Sequence, residues 1–364
     1  MQNAQPSSDR PILFALGGTG GHLLPAASLA RGLKKEGQNN LLFAGSGLAT
    51  NPFFEKEEFA YRQLSASTPF SKKPVAAARA VATLFRGIVE ALSLIRESNP
   101  RLVVGFGSFH AFPLMVAARL KKVPYILFEP NAFLGRVNRL FAKRAHLLAL
   151  QFEEAKEGMA TPHALIEFPI IPRPEAPSRE EALNFYGLDP ELDTLLIMGG
   201  SQGAGFLNEA LPSLEVDRPF QVIHLVGPNG DLDAIRERWK KRGTRCSVLP
   251  FEKEMERVYA AADGVICRSG AGTLSELVAY ELPSLLIPYP FSYLHQMKNA
   301  RLFEQMGAAL IFDQNRDAKE LLGDKITHLL AHCRSEMKQN LKKFKREEGR
   351  RSLVNIVLEE LEKL

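Results

Sequence analysis

The chain is poor in cysteine. Cys246, Cys267 and Cys333 are three thiols in 364 residues, and no two stand in CxxC spacing. That argues against a structural zinc site and for a reducing compartment such as the cytosol. A long hydrophobic run is also missing. Arg, Lys or Pro breaks every apolar stretch within about a dozen residues, short of the roughly 20 that a membrane-spanning helix needs. Any membrane contact is therefore expected to be peripheral. The first ten residues, MQNAQPSSDR, have no apolar core and read as a loose polar tail, not as a secretory signal. Neither sign of charge dominates: 46 Lys and Arg against 41 Asp and Glu leave a net +5. This permits attraction to anionic lipid, nucleotide or nucleic acid without selecting among them. The length suits two ordinary domains, each with its own core.

What the chain does have is glycine at the ends of apolar strands. Pro11 to Leu16 reads as a strand, GGTGGH (Gly17 to His22) as a loop, and Leu23 to Leu33 as a helix. The spacing is not the G-x-G-x-x-G of a dinucleotide fold, and the second strand, Asn40 to Ala44, ends without an acid for a ribose, which disfavours a redox enzyme. The pattern returns at GFGSFH (Gly105 to His110), at GGSQGA (Gly199 to Ala204) and at CRSGAGTLSE (Cys267 to Glu276), and another strand ends in FEPN (Phe128 to Asn131). Strand, glycine loop and helix together place backbone N–H groups and a helix dipole where a phosphate fits. His22 sits at a helix mouth, where its imidazole is expected to stay neutral, either as a loop residue or as a base. Thr273 and Glu276 have T-x-x-E spacing, which suits a capping box and a ligand contact equally well.

Between the halves, FPIIPRPEAPS (Phe168 to Ser178) has four prolines in eleven residues and reads as the interdomain linker. The expected domains are 10–168 and 178–345, joined by 169–177, with a terminal helix of about 346–364 returning to the first. Pro74 to Ser98 reads as one long helix whose stripe Val81, Leu84, Phe85, Ile88, Leu92 and Ile95 is expected to be mostly core. Lys72, Lys73, Arg79 and Arg86 gather beside Phe85 and Ile88, either as a solvated basic face or as a patch for anionic lipid headgroups. Asp231 and Asp233 superficially form a metal-binding D-x-D, but they open a helix, where acids are ordinary caps.

CRSGAGTLSE, GGTGGH, GGSQGA and the Pro-rich loop carrying His295 and Gln296 together resemble the MurG family of bacterial peptidoglycan N-acetylglucosaminyltransferases. The resemblance spans almost the whole chain, with weaker matches at GFGSFH and FEPN. It implies an α/β protein of GT-B architecture, with two doubly wound Rossmann-like domains facing across a cleft. It implies an inverting transferase that moves GlcNAc from UDP-GlcNAc to the 4-hydroxyl of MurNAc in undecaprenyl-pyrophosphoryl-MurNAc-pentapeptide (lipid I). The product would be lipid II, made at the cytoplasmic face of the inner membrane by a peripheral enzyme. His22 then becomes the candidate general base.

The implied donor set is Thr19, Gly20, Gly21, Asn131, Ser201, Glu252, Ala271, Gly272, Thr273, Leu274, Ser275, Glu276 and Gln296. In it Glu276 holds the ribose hydroxyls, Ser201 a phosphate, Glu252 and Phe251 the uracil, and Asn131, Ala271 and Gln296 the sugar. Gly18, Gly105, Gly107 and Ser108 fall on the acceptor's pyrophosphate side, and Lys72, Lys73, Arg79, Phe85, Arg86 and Ile88 form the membrane patch. No cofactor and no essential metal are expected. The expected partners are UDP-GlcNAc, lipid I, an anionic membrane surface and cell-wall synthesis and division proteins, with no nucleic acid. The chain departs from the family pattern at Phe128 and Pro130 beside Asn131, at Gly205, and at Phe168 and Ile171 in the linker, where Arg173 follows two positions later. Two alternatives stand beside this reading: a GT-B UDP-sugar transferase with another acceptor, and, motivated by Ile171 and Pro130, a nucleotide-sugar-binding division protein without turnover.

Overall fold

The structure, a computed structural model, describes residues 10–18, 20–51, 54–68, 73–167, 177–200, 202–291, 295–346 and 349–364. The linker residues Phe168, Ile171 and Arg173 lie outside that set, as do Thr19, Lys72 and Ser201. The chain divides into two compact units, Met1–Pro169 with Gly349–Leu364, and Ile170–Glu348.

The first unit is built on a seven-stranded parallel sheet. Its strands are β1 (Ile12–Ala15), β2 (Leu41–Gly45), β3 (Tyr61–Gln63), β4 (Leu102–Gly105), β5 (Tyr125–Glu129), β6 (Leu147–Leu150) and β7 (His163–Leu165), in the order β3-β2-β1-β4-β5-β6-β7. A parallel sheet covered on both faces needs apolar residues at every position, and β1, β4, β5 and β6 are buried throughout. Successive side chains enter opposite cores. Ile12 and Phe14 join one, Leu13 and Ala15 the other. On the first face, Phe14 stacks on Phe43 at 4.7 Å and on Phe106 at 6.0 Å, and Phe106 meets Phe128 at 5.3 Å, so one row of rings crosses the sheet.

The terminal helix Leu353–Glu362 seals that same face with Ile356, Val357 and Leu361. It approaches the first helix, Gly20–Lys35, so closely that a Cβ on Gly32 would come within 2.4 Å of Val354 Cγ2. Polar ties fix it as well. Glu360 Oε2 pairs with His146 Nε2 at 2.7 Å, and Arg350 Nη1 donates to the carbonyls of Gln151 and Ile166 at 2.7 and 3.1 Å.

The second unit repeats the plan with six parallel strands. They are β8 (Thr194–Met198), β9 (Gln221–Leu225), β10 (Cys246–Leu249), β11 (Gly264–Cys267), β12 (Ser284–Leu286) and β13 (Ala309–Ile311), in the order β10-β9-β8-β11-β12-β13. Its histidine His224 is structural. Wholly buried, it accepts the Trp239 indole N–H at Nδ1 (3.2 Å) and meets Asn208 Oδ1 at Nε2 (3.1 Å), and burial takes its pKa down to about 3.

In each unit the strand order reverses once, between β1 and β4 and between β8 and β11. Loops leaving the carboxyl ends of such a pair diverge and open a crevice, the place where doubly wound sheets bind ligands. All four glycine loops leave those ends. The helix Pro74–Ser98 departs from expectation: Leu84 and Ile95 are buried, Ile88 and Leu92 half-buried, while Val81 and Phe85 are exposed. The buried face is instead Ala80, Leu84, Gly87, Ala91, Leu94 and Ile95, whose small residues admit the neighbouring chain closely.

Candidate active site

At the first switch point the GGTGGH loop follows β1 and the GFGSFH loop follows β4. Gly17 and Gly18 have φ of +148° and +90°, and His22 lies in the first turn of the helix that follows. Ser108 Oγ donates to the Gly17 carbonyl at 3.3 Å, and Asn51 Nδ2 donates to the Gly18 carbonyl. Burial first, and His110 second, lower the His22 pKa to about 4, so the imidazole is neutral near physiological pH. Gly105 and Gly107 back this crevice; a Cβ on Gly105 would come within 2.9 Å of Met115 Sδ.

Beside it, the FEPN loop is organised by Glu129, a residue to which sequence reasoning gave no structural part. Its carboxylate is buried and takes four N–H donors: Asn131 N (3.1 Å), Asn131 Nδ2 (2.8 Å), Gly135 N (2.7 Å) and Asn138 Nδ2 (3.0 Å). Burial pushes the carboxyl above its ordinary range, against the pull of those donors. Both oxygens are occupied, so Glu129 sets the Asn131 carboxamide and is not itself placed to accept a substrate proton.

At the second switch point the helix Ala271–Ala279 begins immediately after Gly270. Gly270 is its N-cap and no side chain caps it, so Thr273 is already the third helical residue and the capping box does not exist. The N–H groups of Ala271, Gly272 and Thr273 lack intrahelical partners, no acid occupies the first turn, and a Cβ on Gly270 or Gly272 would meet open space. This is a positive, uncrowded helix end suited to a diphosphate.

Glu276 lies one turn further on. Half-buried, it lies beside the Tyr259 hydroxyl, which donates to Met198 Sδ at 3.9 Å, and burial raises the Glu276 pKa. Leu274 and Ser275 point into the protein, Ser275 Oγ bonding the Ala271 carbonyl at 2.9 Å, so of that run Ala271, Gly272, Thr273 and Glu276 keep exposed surface. Gln296 Oε1 accepts Tyr289 N at 2.8 Å, its carbonyl accepts Ser269 Oγ at 2.8 Å, and Asn299 Nδ2 reaches the Ser269 carbonyl at 3.1 Å. Gln296 and Asn299 stand not in a loop, as expected, but in the first turns of the helix His295–Gln305, and these bonds hold that helix start against the glycine turn.

Arg268, also missed in the sequence, is buried just after β11. Its Nη1 donates to the carbonyls of Ile287 (2.9 Å) and Pro288 (3.3 Å) and to Gln314 Oε1 (2.6 Å), and burial lowers its pKa. Glu252 is already engaged: Oε2 accepts Tyr186 Oη at 2.8 Å and Oε1 accepts Glu254 N at 2.9 Å. Asp231 Oδ1 caps its helix through Ala234 N at 3.0 Å, and Asp233 pairs with Arg236 at 2.7 Å. Among the described residues no three His, Cys, Asp or Glu side chains are grouped to hold a metal ion.

Comparison with known proteins decides the family. Residues 12–149 match the glycosyltransferase family 28 N-terminal domain, and residues 194–353 match its C-terminal domain. The chain belongs to glycosyltransferase family 28. Among its family 28 relatives, the UDP-N-acetylglucosamine--N-acetylmuramyl-(pentapeptide) pyrophosphoryl-undecaprenol N-acetylglucosamine transferase of Protochlamydia amoebophila is 35% identical over 80% of each chain. The protein of the same name from Wolbachia pipientis is 32% identical over 96% of this chain and 99% of its own. The crystal structure of Acinetobacter baumannii MurG aligns over 98% of this chain and 100% of that one, with a TM-score of 0.77 at 23% identity. The family 28 fold is thus GT-B, two Rossmann-like domains each on a parallel sheet.

Proposed function

We propose that the protein transfers N-acetylglucosamine from UDP-N-acetylglucosamine to the muramyl 4-hydroxyl of undecaprenyl-pyrophosphoryl-N-acetylmuramyl-pentapeptide, with inversion. The name shared by relatives at 32–35% identity supports the donor and the acceptor. The observation that carries the chemistry is the helix Ala271–Ala279, whose uncapped N-terminus sits one turn from a half-buried carboxylate. Its free N–H groups suit the charge that develops on the departing diphosphate, and Glu276 suits the paired hydroxyls of a ribose. Neutral His22 supplies a base for the acceptor hydroxyl. No metal is assigned, because orphan N–H groups take the role that a cation would otherwise have. The test is transfer of labelled N-acetylglucosamine to a soluble lipid I analogue in EDTA. Transfer to that acceptor at an undiminished rate is expected; absolute dependence on magnesium or manganese would return attention to Asp231.

The exposed face of the helix Pro74–Ser98 supports a membrane role for the first unit. Val75, Ala78, Ala82, Phe85 and Val89 recur at alternating three- and four-residue steps and are all exposed, Phe85 at 69%. Lys73 and Arg79 adjoin them, and Arg86, which pairs with Glu90 at 2.8 Å, has less charge to offer a headgroup than Arg79. A groove of about 610 Å³ nearby in the same unit has Leu120 and Leu140 exposed beside Arg119, Lys122 and Arg144. No described helix is long and apolar enough to cross a membrane. Co-sedimentation with anionic vesicles is expected to weaken in high salt and with Phe85→Ser, and Arg79→Glu should weaken it more than Arg86→Glu, each available basic residue contributing about 1 kcal/mol. Equal sedimentation of all variants would make this face an ordinary solvated surface.

A further inference from the structure

The second unit ends in a helical run interrupted by one turn of a different kind. Between the helices Glu320–His328 and Arg334–Lys345, residues Leu329–Cys333 wind as a π-helix, an element that is rare and concentrates at functional sites. Leu329 and Leu330 are buried in the core of the unit, and Cys333 Sγ donates to the His328 carbonyl at 3.4 Å, so the backbone of this turn is held from beneath and from within. On its outer side His328 and His332 are both exposed, with ring centroids 5.5 Å apart and planes inclined at 39°. Neither ring has a hydrogen bond or an ion pair among the described residues. Two histidines four residues apart share one face of a helix, the spacing with which helices chelate metal. An ion held at about 2 Å by two imidazole nitrogens, at a tetrahedral angle, puts the ring centres about 5 Å apart. The observed 5.5 Å therefore needs only small side-chain rotations, on a backbone that the buried leucines have already fixed.

We propose that His328 and His332 form a two-imidazole clip for a divalent transition-metal ion of the zinc, nickel or copper class. Imidazole suits those ions, whereas magnesium and calcium take oxygen ligands. Among the described residues no third His, Cys, Asp or Glu is grouped with the pair, so water completes the coordination and the ion exchanges freely. The surroundings favour a cation. Asp324 and Glu336 are exposed one turn to either side, with Lys325 half-buried between, and Arg334 is turned away to Asp193 and Asp263. A groove of about 770 Å³ runs beside the first of these helices, where five carboxylates, among them Glu320 and Asp324, outnumber the cations Arg238 and Lys319. The clip shares no residue with the transfer site and is independent of the metal-free reaction proposed above.

The test uses the full untagged chain, stripped of metal with EDTA and then freed of the chelator. It is titrated with nickel(II) and with zinc(II) by calorimetry, and the histidine ring signals are followed by NMR during the nickel titration. The tightest site is expected to take one ion per chain and to broaden the His328 and His332 signals before any other. His328→Gln and His332→Gln should each weaken that site at least about tenfold, because removing either half ends the chelation. His163→Gln should leave it unchanged, since that exposed imidazole stands beside Glu153 and away from the pair in sequence. Nickel should raise the melting temperature of the wild type and not of the two clip variants, because only the folded turn brings the rings together. Magnesium should do neither. Equal nickel affinity in the wild type and both clip variants, or broadening that begins at other histidines, overturns the proposal; the second readout needs no variant to fold.

Discussion

Replacing His22 by Ala is expected to lower kcat by roughly a hundredfold or more, the ordinary scale for a lost general base, while UDP still binds with near-normal affinity. The two halves of that expectation come from different units. The proposed nucleotide contacts lie at the second switch point, around Gly270 and Glu276, and the proposed base lies in the first turn of the first helix of the first unit. An imidazole accepts a proton only when neutral, and burial together with His110 takes the His22 pKa down to about 4. The kcat/KM profile should therefore stay level from neutral pH downward and fall only on approach to about 4. That limb should vanish in the variant. Retained turnover with the limb unchanged would reduce His22 to a loop-shaping residue. Glu129 is no substitute, since four N–H donors already occupy its carboxylate. His110 would then be the remaining imidazole at the site.

Glu276→Ala is expected to raise KM for UDP-N-acetylglucosamine by roughly ten- to a hundredfold, with a smaller change in kcat. Hydrogen bonds to a charged group contribute about 1.5–3 kcal/mol, and each 1.4 kcal/mol is a factor of ten. A ribose contact remote from the reacting carbon is present in ground and transition states alike, so its loss appears mainly in KM. Because the helix is capped by Gly270 and not by Thr273, the variant should keep its melting temperature within a few degrees. A large fall in melting temperature with KM intact would instead make Glu276 a structural partner of Tyr259. Tyr259→Phe separates these further: it removes the hydroxyl beside Glu276, leaves the ring packed on Tyr280 at 4.8 Å, and should raise KM in the same direction by less.

The parts of this site that the sequence reveals are those where one local step carries the signal. A strand that runs into glycine and then a helix announces a phosphate-sized opening, and four such steps are legible in the sequence, although only the strand order shows that they flank the two switch points. The edge strands β3, β7 and β13 are three residues each and depend on a neighbour for their pairing, so no run of side chains announces them. T-x-x-E reads the same whether the helix begins at Thr273 or three residues earlier, and only the backbone distinguishes the two. On Pro74–Ser98 the periodicity is real but serves two faces: small residues let Leu84 and Ile95 pack inward while Phe85 and Val89 remain outside. Tyr259, Arg268 and the pairing of Ser46 with His110 are invisible in sequence because each joins segments that meet only through the strand order. Glu129 was visible as a residue but not in its part, since four donors from the following loop give a catalytic-looking carboxylate a structural task.

The measurement that bears most directly on the account is release of UDP from UDP-N-acetylglucosamine with and without a soluble lipid I analogue. A transferase whose base acts on the muramyl 4-hydroxyl should release UDP in step with acceptor added, at a rate that depends on His22, and should be nearly silent without it. Tight binding of UDP-N-acetylglucosamine with no acceptor-dependent release would contradict the account and leave a nucleotide-sugar-binding protein without turnover.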